Sequence, residues 1–166
     1  GDPRWEHYDA SVNAAARHRM ETLLCVDMRA PGWAAWQRPD GGSPRGIPDP
    51  ARLDDWARFV RQVAERYRDR VRVFEIENEP DLTCGGRAGL TLPEGVEYYI
   101  RFLRAGRDAV KAVDPALPVA GCDVSGVDMD RDLPFTKAVL EKAADAIDLY
   151  TGHPYASPRN FGPGQH

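Results

Sequence analysis

The sequence predicts an α/β fold, part of a (β/α)8 TIM barrel with about four parallel strands and flanking helices. Three observations lead there. Helix-period and strand-period segments alternate four times along the 166 residues, an order that implies parallel strands joined by helices on the outside. The carboxyl ends of the readable strands carry reactive or hydrogen-bonding side chains: Asp27, then Asn78 and Glu79, then Asp123, then His153 and Tyr155. A barrel places its functional residues there. The loops after residues 28, 79 and 122 hold neither GxGxxG nor GxxxxGK[ST], the phosphate-binding glycines expected of a doubly wound open sheet.

The elements follow in order. "YDASVNAAARHR" (8–19) reads as a helix, and the β-leaning run "ETLLCVDM" (21–28) comes next, ended by "RAPGW". Residues 38–50 form a Pro/Gly-rich loop whose last pair, Asp49 and Pro50, reads as an N-cap and a first-turn proline. Leu53, Trp56, Phe59 or Val60, Val63 and Tyr67 recur at helical spacing, which predicts an amphipathic helix over 50–68. "VRVFEIENE" (71–79) is the next strand, stopped by Pro80. A glycine-bearing loop over 80–92 leads to a helix through Val96, Tyr99 or Ile100, Leu103, Val110 and Val113, which Asp114 and Pro115 terminate. The strand "LPVAGC" (117–122), a helix starting near Pro134 and the strand "AIDLYTGH" (146–153) complete the series. A full eight-stranded barrel takes at least about 200 residues, so residues 1–166 are expected to be one incomplete barrel domain.

Composition narrows the function. With 42% hydrophobic and 29% charged residues the chain is an ordinary globular unit with a real core. Its net charge of -4, with both signs interspersed, offers no basic face to a nucleic acid. Apolar runs such as "TLLCV" are too short to span a bilayer, and the amino terminus shows no basic-then-apolar export segment. Cys25, Cys84 and Cys122 are widely spaced without a CxxC, so they read as plain thiols. His7, His18, His153 and His166 lack ligand spacing, and neither a metal nor a cofactor is expected. Two open strand edges make the rest of its own barrel, or a second copy, the expected protein partner.

The segment "FEIENEPDL" (74–82) is the anomaly, because it packs four acidic residues into a strand-like stretch. Burying an unpaired carboxylate costs several kcal/mol or shifts its pKa. Strand alternation puts Glu75, Glu77 and Glu79 on one face and Phe74 and Ile76 on the other. Glu75 and Glu77 are expected to pair with arginines on neighbouring strands. Glu79, the last residue before Pro80, has the best access to a substrate.

"FEIENEPD" resembles the strand-four signature of the clan A glycoside hydrolases, commonly written W-E-I-W-N-E-P-N, with Asn78, Glu79 and Pro80 on its central N-E-P. The resemblance covers most of the chain. "LLCVDMRAPGWAAW" is similar to the strand-three segment and its P-x-W loop, "GRDAVKAVDPALPVAGCDVSG" to the stretch from helix four to strand five, and "IDLYTGHPYA" to strand six with its H-x-Y. It is nearest to family 39 and related cellulase-like families. The resemblance implies a hydrolase of carbohydrate metabolism, a retaining β-glycosidase. In it Glu79 is the general acid/base, Asn78 bonds the sugar 2-hydroxyl, and His153 and Tyr155 stand beside the sugar. Clan A chemistry needs no metal.

Residue chemistry agrees with these roles. Cleaving a glycosidic bond needs a carboxylic acid still protonated near neutral pH, and desolvation or a neighbouring negative charge such as Glu77 supplies that shift. Trp33 and Trp36 suit the apolar face of a sugar, or cover the barrel mouth by packing on each other; Trp5 has the same ambiguity. Asp27 bonds a sugar hydroxyl or an arginine such as Arg29. The resemblance places the nucleophile, a Glu, at the end of strand seven, beyond His166. The chain is therefore expected to be a fragment of a longer enzyme, inactive alone; the alternative is a carbohydrate-binding or scaffold barrel that lacks the nucleophile.

Overall fold

The computed structural model describes residues 4–37, 46–126 and 132–154. Four strands, β1 (Leu23–Val26), β2 (Val73–Ile76), β3 (Val119–Val124) and β4 (Leu149–Gly152), pair in parallel, each with the next in chain order. A doubly wound sheet reverses its order at a switch point, whereas a barrel does not. The order here is that of a barrel wall.

Four helices flank the sheet: α1 (Glu6–Arg17), α2 (Leu53–Tyr67), α3 (Leu92–Val113) and α4 (Asp132–Ala143). Asp49 caps the turn leading into α2, accepting from the Ala51 N–H at 2.8 Å, with Pro50 behind it. Trp56, Val60, Val63, Ala64 and Tyr67 are the buried stripe of α2. At the start of α3 the Glu94 carboxylate accepts from the Thr91 N–H at 2.8 Å, half of a capping box. The 80–92 stretch, expected as a loop, is helical in part. The Glu79 carbonyl accepts from both Leu82 N and Thr83 N, and Asp81–Gly85 then forms a π-helical turn and Gly86–Ala88 a 3-10 turn.

The core lies between the outer face of the sheet and these helices, with Phe74, Ile76, Val119, Tyr99, Phe102, Leu103 and Val110 fully buried. Gly106 lets α3 approach β2: a Cβ there would stand 3.0 Å from Ile76 Cδ1. The opposite, inner face carries Cys25, Glu75 and Ala120 in register with Leu149. Leu149 is 44% exposed, so this face is open to solvent at β4.

Two strands end differently from expectation. β2 stops at Ile76, not at residue 79, because Glu77 and Glu79 adopt φ of 69° and 53°, two left-handed residues in three that turn the chain out of the extended conformation. β3 runs on to Val124 and contains a bulge. Gly121 pairs with Tyr150 and Val124 with Gly152, so three steps along β3 match two along β4. Cys122, in the bulge, has φ 62°, which turns its N–H off the ladder. The Tyr99 hydroxyl receives that N–H at 2.9 Å and donates to the Ile76 carbonyl at 3.1 Å.

Tyr99→Phe strands both buried backbone groups. Urea unfolding is expected to show a stability loss of about 1–3 kcal/mol, and an unchanged midpoint would refute this role for the hydroxyl.

Candidate active site

The residue before Pro80 stands where β2 hands over to the π-helical turn. Its N–H donates to the Asp123 carbonyl at 2.8 Å, which fixes Glu79 against the bulged end of β3. His153, immediately after β4, is held by its own N–H on the Val124 carbonyl at 3.0 Å. These two backbone bonds bring together side chains 74 residues apart. His153 Nδ1 lies 3.1 Å from Glu79 Oε1, and its Nε2 lies 3.2 Å from Asp123 Oδ2. The Glu79 side chain is 16% exposed and Asp123 7%. Burial raises the Asp123 pKa; His153 opposes the rise, while Glu79 and Asp81 add to it.

The other acids are tied to backbone. Glu77 is fully buried, and its carboxylate accepts from the Met28 N–H across the end of β1. Asp81 accepts from Ser125 N at 2.8 Å and Ser125 Oγ at 2.6 Å, across the end of β3. Glu75 is buried on the inner face, with Thr151 and Cys25 beside it favouring its charged form. Its pKa is raised, first by burial.

The expected arginine partners of Glu75 and Glu77 are absent among the described residues. Glu77 meets the Met28 N–H instead, and Glu75 lies beside Thr151 and Cys25. The shared face of Glu77 and Glu79 is also corrected, since the two left-handed residues break the alternation. The like-charged neighbour of Glu79 is Asp123, reached through His153.

The remaining predicted residues divide. Asn78 is exposed at the rim beside Glu79, and its carbonyl accepts from Thr83 Oγ1 at 3.2 Å. Asp27 closes on Arg29, with Oδ2 3.2 Å from Nε and Oδ1 3.0 Å from the Arg29 N–H, and stays 42% exposed. Trp36 stacks on Tyr98 at 5.6 Å and packs on the core. Trp33 is 64% exposed, with the Arg52 guanidinium 5.8 Å from its ring. It lines a cavity of about 480 Å³ together with Asp27, Arg29, Arg52, Asp55 and Phe59. A larger cavity of about 840 Å³, between α1 and β1, shares Asp27 and Arg29 but not Glu79. Tyr155 lies outside the described residues. Cys25, Cys84 and Cys122 are free thiols.

Sequence reasoning named Asp123 only as a strand-end residue and did not single out Asp81, Ser125 or Thr151 as site residues. The signal for Asp123 and Ser125 was present: "CDVSG" after a buried strand is as polar as the ends of β2 and β4.

Solved structures share this fold. A beta-galactosidase from Bacillus circulans sp. alkalophilus superposes with a TM-score of 0.63 at 13% identity, over 93% of this chain and 33% of that one. Fpglu1 from Fervidobacterium pennivoraus gives 0.61 at 16%, over 89% and 38%. A hyperthermophilic beta-glucosidase from Pyrococcus furiosus gives 0.63 at 15%, over 90% and 38%. No family model matches the chain, and no curated protein is significantly similar in sequence. The chain thus has an α/β fold of four parallel strands and flanking helices, matching part of a TIM barrel, and spans about a third of the length of the structures it resembles.

Glu77 gives this site a pH signature. Burial lifts its pKa from 4.5 to about 7, against the pull of the Met28 N–H and with some help from Asp27. The folded chain keeps this proton where the unfolded chain has released it, so stability falls as pH rises from 4.5 to about 7. The loss amounts to roughly 3 kcal/mol. Glu77→Gln keeps an oxygen for Met28 and removes the ionisation. Its stability relative to the native chain is expected to grow by that amount across the window in urea titrations, and a difference constant with pH would refute the assignment.

Proposed function

We propose that the chain carries the acid/base part of a retaining β-glycosidase, a clan A glycoside hydrolase nearest to family 39, acting on O-glycosidic bonds of an oligosaccharide or polysaccharide. One observation carries the reading. The Glu79 carboxyl group stands at the carboxyl end of β2, partly exposed, 3.1 Å from the imidazole that ends β4. Glu79 of the N-E-P motif and His153 of the H-x-Y motif meet there in space, and the shared fold of a beta-galactosidase and a beta-glucosidase supports the same reading.

In this mechanism Glu79, as the carboxylic acid, gives its proton to the glycosidic oxygen while the anomeric C–O bond breaks. A carboxylate on the strand following β4 in the full-length protein bonds the anomeric carbon. Glu79, now a carboxylate, takes a proton from the water that displaces that carboxylate. Asn78, at the rim beside it, bonds the sugar 2-hydroxyl, a contact that strengthens as the ring becomes oxocarbenium-like. Trp33, exposed beside Arg52, offers its ring to a sugar further along the chain.

In the full-length protein, Glu79→Ala is expected to lower kcat/KM on methylphenyl β-glycosides by about 10²–10⁴-fold. Dinitrophenyl β-glycosides, whose leaving group needs no proton, should still transfer their sugar to the enzyme, and azide should restore turnover as the glycosyl azide. Native rates in Glu79→Ala would overturn the assignment; glycan binding without hydrolysis by the native protein would favour a binding barrel. Trp33→Ala is expected to raise KM for an oligosaccharide about three- to tenfold with kcat unchanged, as initial-rate kinetics would report.

A further inference from the structure

The two contacts of His153 constrain its protons. Glu79 Oε1 and Asp123 Oδ2 face the two ring nitrogens at 3.1 and 3.2 Å, and a carboxylate can only accept. Each contact needs one hydrogen, so three ionisable groups share two. The trio then carries one net negative charge wherever those hydrogens sit. Ionised Glu79 with imidazolium, and protonated Glu79 with neutral imidazole, differ only by movement of one hydrogen between Oε1 and Nδ1.

Asp123 decides which nitrogen is free to take part. Its backbone is fixed by the bulge of β3 and by the bond from Glu79 N to its carbonyl. Its carboxylate is nearly covered, and its neighbours Glu79 and Asp81 are acidic. Glu75, on β2, adds a third carboxyl group that interacts with both Asp123 and His153. Among the described residues no arginine or lysine lies against Asp123, and the imidazole is its hydrogen donor.

We propose that Asp123 is a positioning residue: it holds the Nε2–H of His153, turns Nδ1 toward Glu79, and so keeps the mobile hydrogen beside the catalytic acid. The proposal rests on the reading of Glu79 as acid/base. When Glu79 gives its proton to the leaving oxygen one hydrogen is left in the trio, on Nε2 facing Asp123, and when water is deprotonated the second hydrogen returns to the Glu79–His153 pair. Loss of the Asp123 charge lowers the proton affinity of the His153–Glu79 pair, since a nearby negative charge favours the protonated form.

The test uses the full-length protein. In the native enzyme, ¹⁵N spectra of labelled histidine are expected to show the hydrogen of the neutral His153 ring on Nε2, while kcat/KM falls along an alkaline limb. An Nε2 without hydrogen in the neutral ring overturns the proposal and requires no variant to fold. Asp123→Asn is expected to move that limb down by about one pH unit and to slow methylphenyl β-glycosides about tenfold at neutral pH, with little change for dinitrophenyl β-glycosides. An equal loss on both substrates with the limb unmoved would make Asp123 a fold residue only and would sink the idea. The glycosidase reading fails separately: if Glu79→Ala keeps the native rate on methylphenyl glycosides, that reading is gone. A collapse in Glu79→Ala with an unmoved limb in Asp123→Asn removes this proposal alone.

Discussion

The ends of four parallel strands are tied to one another by five residues, Glu77 to Asp81. A parallel ladder leaves backbone donors unmet where its strands run out, and here acidic side chains and turned-out amides meet them. Glu77 receives the Met28 N–H beyond β1, Glu79 donates its N–H to Asp123 on β3 and reaches His153 beyond β4, and Asp81 receives Ser125. Left-handed backbone at Glu77 and Glu79 makes this possible, because it aims successive side chains sideways along the rim and not up and down. Such a conformation is costly for residues with a Cβ. The hydrogen bonds at each end offset that cost.

The rim depends in turn on the helix layer beneath it. The bulge that presents Asp123 requires Cys122 to leave the ladder, and the Tyr99 hydroxyl, reaching out from α3, gives its N–H a partner. Gly121 makes room for that reach: a Cβ there would come within 2.9 Å of the Tyr99 oxygen and of Ile147 Cγ2. Packing of α3 on the outer face and the position of a carboxylate on the inner rim are therefore one structural decision. A bulge beside a reactive centre commonly re-aims a side chain in this way.

Periodicity made the architecture legible. The apolar stripes of α2 and α3, the Asp49–Pro50 start and the Asp114–Pro115 stop all stand where the sequence puts them. Chemistry at the strand ends was legible too, because Asp27, Glu79, Asp123 and His153 each close a strand-like run. What the pattern did not reveal was backbone geometry. Alternation assumes an unbroken strand, so it misplaced Glu77 beside Glu79, and it carried no sign that Cys122 would adopt φ 62° without being glycine. It also suggested arginine partners for the inward acids, since side-chain charge is visible in a sequence whereas an unmet N–H such as that of Met28 is not.

Strand order has a bearing on how the molecule comes into being. Every strand pairs with the one translated just before it, so the sheet can be laid down from the amino end as the chain leaves the ribosome, without waiting for distant segments. The Met28–Glu77 tie can close as soon as β2 docks. Glu79 has to wait for β3 and then for the residue that follows β4. Wall therefore precedes rim in time: the Glu79 carboxyl group acquires its neighbours only after the strands that support them are standing.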